Sequence, residues 1–226
     1  MNARRLVTTW AFPIAIAAAG VVDANVMYTV SLNTATMSGA GYALAFSFQD
    51  GSGLFVPDNN NTVTLSNFAF GVGSASGAPV TSGGASGNLG SSVILSDSDF
   101  SNSLVQGFTP GTSLSFNIDL TTNVDASGVP DFFGFAILIL SSDTSLPTQD
   151  DTGGDNLLYF NIDSADPMPA PWATVVGTQP ALDAPTVGPT QPPEPPGQVP
   201  EPGSLWLLSA GLAGLLGIRR RGLSRR

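Results

Sequence analysis

Between Asn25 and Asp166 the apolar residues recur mostly with a period of two. Val26, Tyr28, Val30 and Leu32 alternate with Met27, Thr29 and Ser31, and Tyr42, Leu44, Phe46 and Phe48 alternate with Ala43, Ala45 and Ser47. Side chains two apart share one face of an extended strand, so both runs read as strands with one buried face. Leu114, Phe116, Ile118 and Leu120 repeat the pattern, and Leu158, Phe160 and Ile162 give a shorter version of it. After Val63 and Leu65 the apolar positions continue at Phe68, Phe70 and Val72, so the parity switches across Ser66-Asn67 as a β-bulge or a change of sheet requires. The run from Phe132 to Leu140 is apolar at odd and even positions alike, which fits a central strand covered on two sides.

With short strands over Val93–Leu95 and Ser103–Phe108, about eight strands are expected, separated by clusters of Gly, Asn, Asp and Ser. Helical spacing is nearly absent, so the fold class is all-β, a single β-sandwich or jelly-roll-like domain over 25–166. The Gly- and Ser-rich stretch from Gly73 to Gly90 reads as a long loop or an irregular edge. Of the 18 prolines, 12 fall between Pro167 and Pro202, and residues 167–198 are expected to form an extended Pro-rich linker. The expected order is therefore 1–24 as an export segment, 25–166 as the sandwich, 167–198 as the linker and 199–226 as a tail.

Charge narrows the functions open to that domain. Nothing from Leu6 to Ile218 carries a Lys or Arg, whereas all 17 acids lie in that interval, and there is neither His nor Cys. Such a domain repels nucleic acid and anionic lipid and is no nucleic-acid binder. Disulfides and thiolate chemistry are impossible. Of the usual acid–base groups only carboxylates and three tyrosines remain, so no enzyme activity is expected.

The two ends carry addresses. Arg4 and Arg5 precede an apolar run from Leu6 to Val22, and Val22-Asp23-Ala24 offers a signal peptidase site with cleavage after Ala24. Near the other end Val199-Pro200-Glu201-Pro202 leads into the apolar stretch 205–218 and then the basic residues of 219–226, among them Arg219, Arg220 and Arg221. As a transmembrane helix those 14 residues span about 21 Å, short of the roughly 30 Å hydrocarbon core. Arg219, Arg220 and Arg221 act as a cytoplasmic stop, which leaves Pro-Glu-Pro on the outer side of the inner membrane.

This order of acidic proline motif, short apolar helix and Arg cluster resembles the PEP-CTERM tail, the recognition sequence of exosortases in Gram-negative bacteria that make exopolysaccharide. The resemblance implies that Val199, Pro200, Glu201 and Pro202 are the sorting motif, that the helix is a transient inner-membrane anchor, and that an exosortase cuts near the motif. The same tail is also labelled as the C-terminal domain of ice-binding proteins. Tyr28–Thr34, Gly107–Phe116 and Phe133–Phe135 further resemble an uncharacterised family of exosortase substrates, which supports a fold and implies no activity.

Clustered aspartates are the remaining chemical signal: Asp97 with Asp99, Asp119 with Asp125, Asp143, and Asp163 with Asp166. Asp150, Asp151 and Asp155 form the best candidate for a metal site, and calcium, which takes hard oxygen ligands, is the one cofactor they offer. The leading reading is a non-enzymatic structural or adhesive protein of the cell surface or extracellular matrix. The alternative is a carbohydrate-binding module for the producer's exopolysaccharide. Ice binding ranks third, since no regular Thr-x-Thr ladder runs along the chain.

Overall fold

The structure, a computed structural model, describes residues 25–38, 41–51, 57–124 and 128–190. The described residues form fourteen strands and no helix. In chain order these are β1 (Asn25–Asn33), β2 (Tyr42–Gln49), β3 (Thr62–Ala69), β4 (Ser74–Ala75), β5 (Val80–Ser82), β6 (Ala85–Gly87), β7 (Ser92–Ser96), β8 (Ser101–Thr109), β9 (Ser113–Thr121), β10 (Asp131–Ile139), β11 (Thr144–Ser145), β12 (Leu158–Ile162), β13 (Ala170–Pro171) and β14 (Thr186–Pro189). The strands of five residues or more are the eight that alternation predicts. The other six have two to four residues.

All pairings are antiparallel, and they build two sheets packed as a sandwich. One sheet has the order β14-β1-β9-β3-β7-β6, and the other runs β13-β12-β10-β2-β8-β4 with β11 beside β10 and β5 beside β8. Between them lies a core of Phe, Leu, Ile and Val that includes Phe46, Phe116, Phe133, Phe135 and Phe160. Phe116 of β9 meets Phe46 of β2 and Phe135 of β10 edge-on, with ring centroids 5.7 and 5.2 Å apart. These contacts tie one sheet to the other, and such pairs add about 0.5–1.5 kcal/mol each beyond burial alone. The parity switch in β3 is a register shift against β9 between Ser66 and Ala69, made at Asn67 with its left-handed backbone (φ 56°).

Each open side of the sandwich is closed by one meandering segment. On the first side, the Gly- and Ser-rich stretch pairs β4 and β5 with β8 of one sheet and then β6 with β7 of the other. Glycine is required where backbones touch: a Cβ on Gly87, whose φ is +93°, would lie 2.0 Å from the Ser92 carbonyl oxygen. On the second side, β13 pairs with β12 and β14 pairs with β1.

That second closure corrects the expected domain boundary. Residues 167–190 are not a stalk but part of the sandwich. Leu182, Pro167, Pro180 and Pro185 are buried, and Tyr28 donates its hydroxyl to the Pro167 carbonyl at 2.9 Å. Leu182 and Thr174 lock together, the Thr174 N–H donating to Leu182 O (3.0 Å) and the Leu182 N–H to Thr174 Oγ1 (2.9 Å). Proline is tolerated at a sheet edge, where no neighbour needs its missing N–H, and short Pro-bearing strands blunt an edge that would otherwise template aggregation. Composition alone, read as a linker, misses this use of proline.

Candidate functional site

The outer face of β10 and β2 is floored by small residues. Gly134 and Ala136 of β10 stand opposite Ser47 and Ala45 of β2, and Ser103 and Val105 of β8 continue the rows. Over this floor hangs the loop 148–157. Gly134 makes room for it, because a Cβ there would lie 2.5 Å from Asn156 Oδ1 and 2.9 Å from Ser47 Oγ. The result is two adjoining hollows of about 470 and 190 Å³ that share Ser47, Gly154 and Asn156. They form one trough. Beside it Phe132 and Tyr159 stack with centroids 5.4 Å apart and planes 27° from parallel. Gln49, Asn161, Asn156 and Thr152 supply amides and a hydroxyl around the first hollow.

The trough wall is held by Asp150. Burial draws its carboxyl upward, but hydrogen bonds from the N–H and Nδ2 of Asn156 and from the N–H and hydroxyl of Thr152, at 2.7–3.0 Å, outweigh that and hold it below the usual carboxylate range. Asp151 accepts the Tyr159 hydroxyl at 2.7 Å, and this bond, with burial second, pushes that phenol up to about 12. Asp155 accepts the Thr148 N–H. The three aspartates expected to bind calcium therefore have separate structural tasks, and among the described residues no three acidic side chains form a group that could hold a metal. Of the three, Asp150 already accepts four hydrogen bonds and has little left for a cation.

A second polar cluster lies at the end of the sandwich where β2, β9 and β12 finish and β10 begins. Asp97 and Asp131 are fully buried there and joined through Asn61, whose N–H donates to Asp97 Oδ2 (2.7 Å) and whose Nδ2 donates to Asp131 Oδ2 (2.8 Å). The Asn60 N–H reaches the same Asp97 oxygen at 3.0 Å, and the Gly51 N–H reaches Asp131 Oδ1 at 2.6 Å. Asn61 Oδ1 in turn accepts the Asn123 N–H at 2.9 Å and the Thr121 hydroxyl at 3.1 Å. Burial pushes the Asp97 carboxyl up to about 6, with the charges of Asp131 and Asp58 adding to it, and raises Asp131 as well. This cluster knits three connections together, β2–β3, β7–β8 and β9–β10. Sequence reading pairs Asp97 only with its neighbour Asp99, and nothing local links it to Asn61 or Asp131.

A third feature, an apolar hollow of about 530 Å³, lies between β1 and β14, lined by Val26, Met27, Met168, Pro169, Val187 and Pro189 among others. Tyr28 also lines it, but its hydroxyl is already donated to Pro167. The hollow offers few groups to a polyhydroxylated ligand.

A family model for the PEP-CTERM protein-sorting motif matches residues 198–221. The chain carries a PEP-CTERM sorting motif. Val199, Pro200, Glu201, Pro202 and the arginines 219, 220 and 221 all fall inside the match. The motif marks this PEP-CTERM chain as exported and as an exosortase target, sorted by way of the membrane to the cell surface. No curated protein and no solved structure matches the chain. The motif, the apolar stretch 205–218, the expected cleavage after Ala24, the linker residues 191–198 and Asp125 lie outside the described residues.

Proposed function

We propose that this exosortase-sorted chain is a non-enzymatic surface protein that holds the producer's polysaccharide in the trough on the outer face of β10 and β2. The observation that carries the reading is the stacked Phe132–Tyr159 pair beside a floor of small residues and a rim of amides. Aromatic faces pack on the C–H faces of sugars, and amide and hydroxyl groups satisfy the sugar hydroxyls that this contact leaves at the rim. The carboxyls with raised pKa, Asp97 and Asp131, are buried in the end of the sandwich. They do not meet the trough, so neither of these two carboxyls is poised as a proton donor over a bound glycosidic bond.

The test is retention of the protein on the producer's own exopolysaccharide. Retention that falls with Phe132→Ala at unchanged melting temperature supports the reading, and absence of retention in the native protein sinks it.

One observation favours a second reading. The outer face of the other sheet places Thr29 opposite Asn117 and Gly188, Asn117 opposite Ser66, and Ser31 opposite Ser115 and Thr186. Thr29 Oγ1 lies 3.1 Å from Asn117 Oδ1 and 3.0 Å from Thr190 Oγ1. The hydroxyl ladder absent along the chain is thus assembled across strands, a surface on which ordered water or ice can be held. Thermal hysteresis above that of an unrelated acidic protein supports this reading, and hysteresis at that background dismisses it.

A further inference from the structure

The trough lies in a domain that no cation balances. Residues 25–202 hold 16 of the 17 acids and no Lys, Arg or His. A glycan bearing carboxylates or sulfates meets repulsion at every approach, whereas a positively charged one is drawn in. The rim makes the preference local. Asp151 is exposed and accepts the Tyr159 hydroxyl through one oxygen, Oδ1, at the edge of the aromatic pair. An ammonium group on a sugar packed against the outer side of this stacked pair would have the Asp151 carboxylate and an aromatic ring within reach, a pairing with both charge and cation–π attraction.

We infer that the trough selects a polysaccharide carrying free amino groups, a partly deacetylated hexosamine chain, with the Phe132–Tyr159 pair as the stacking plate and Asp151 as the counter-ion. The inference rests on the proposed glycan-holding function and names its ligand class. Asp150 is not the counter-ion, because its oxygens are already engaged by Asn156 and Thr152.

The experiment is calorimetric titration of the full chain in detergent with hexamers of glucosamine, N-acetylglucosamine and galacturonic acid, each at low and physiological salt. Melting curves show that each variant is folded. The glucosamine hexamer should bind tightest and the galacturonate not at all. Asp151→Asn should weaken glucosamine binding about fivefold, the factor one exposed ion pair carries, and leave N-acetylglucosamine unchanged. Phe132→Ala should weaken both. Equal affinity for the two hexosamines, or tighter binding of the acetylated one, overturns the amine preference and leaves the glycan reading standing. Glucosamine binding that vanishes at physiological salt and ignores Phe132→Ala also overturns it, because diffuse charge attraction then accounts for the effect. Failure of every hexamer to bind overturns the amine inference, and the glycan reading falls with it only when the producer's own exopolysaccharide also fails to retain the protein.

Discussion

At the scale of single residues, Asp97 and Gly134 carry the most specific consequences. The Asp97 carboxyl is raised to about 6 in the fold by burial and by neighbouring acids, against an ordinary value near 3.8. Between those values the folded protein binds more protons than the unfolded chain, so this contribution to stability is complete below about pH 4 and is lost as pH rises through 6. Asp131 shifts in the same direction. The melting temperature should therefore rise as pH falls from 7.5 to 4.5, the reverse of acid denaturation driven by salt-bridged carboxylates. Asp97→Asn keeps an acceptor for the Asn60 and Asn61 N–H groups and removes the titration, so its melting curve should depend on pH less steeply. A slope unchanged from the native one would show that other acids set it. Gly134→Ala acts through space alone. Its methyl group would displace Asn156 and Ser47, and overpacking of this kind costs about 1–3 kcal/mol. Chemical denaturation should show that loss, together with faster proteolysis of the loop 148–157. Unaltered cleavage would mean that the loop does not depend on this glycine.

At the scale of elements, what was legible follows from burial. Seven of the eight longer strands show in the sequence because each turns one face to the core, β10 shows because it is apolar and buried on both faces over Phe133–Ile137, and the bulge at Asn67 shows because it shifts the buried face by one residue. The short strands β4, β5, β6, β13 and β14 carry almost no alternation, since they exist by pairing their backbones to an edge. The trough was hidden for a related reason: Phe132 and Tyr159 meet only once β10 pairs with β12. In the sequence Asp97 pairs only with Asp99 and Asp131 carries no signal, and only the shared bonds through Asn61 make the two one structure. The clearest prediction at this scale concerns the Pro-rich closure. If residues 167–190 were a stalk, Leu182→Ala would be neutral. As a buried edge residue held against Thr174, Leu182 should instead cost about 2 kcal/mol or more on truncation, measurable by urea unfolding. An unfolding midpoint equal to that of the native chain would return the segment to the status of a linker.

At the scale of the whole molecule, both chain ends leave the sandwich at one corner. The Thr190 N–H donates to Met27 O at 2.8 Å, and β14 ends beside the start of β1. The buried aspartates lie at this same end of the sheets, so the acidic end is the one tethered toward the membrane while the tail is still in place. Because the fold continues to Thr190, only the 12 residues 191–202 separate it from the end of the sorting motif. Fully extended as polyproline they reach about 37 Å, where a linker starting at residue 167 would have reached far more. That spacing sets how closely an exosortase can approach the motif past a sandwich without a single cation. Deleting residues 191–198 would leave about 12 Å for that approach. In a host that carries the exosortase, this deletion should accumulate uncleaved precursor, while replacement of the same eight positions by Gly and Ser should be processed normally, because length rather than proline content is then the requirement. Mass spectrometry of the C-terminus distinguishes the outcomes, and normal cleavage of the deletion variant would mean that the enzyme takes the motif directly at the surface of the folded sandwich.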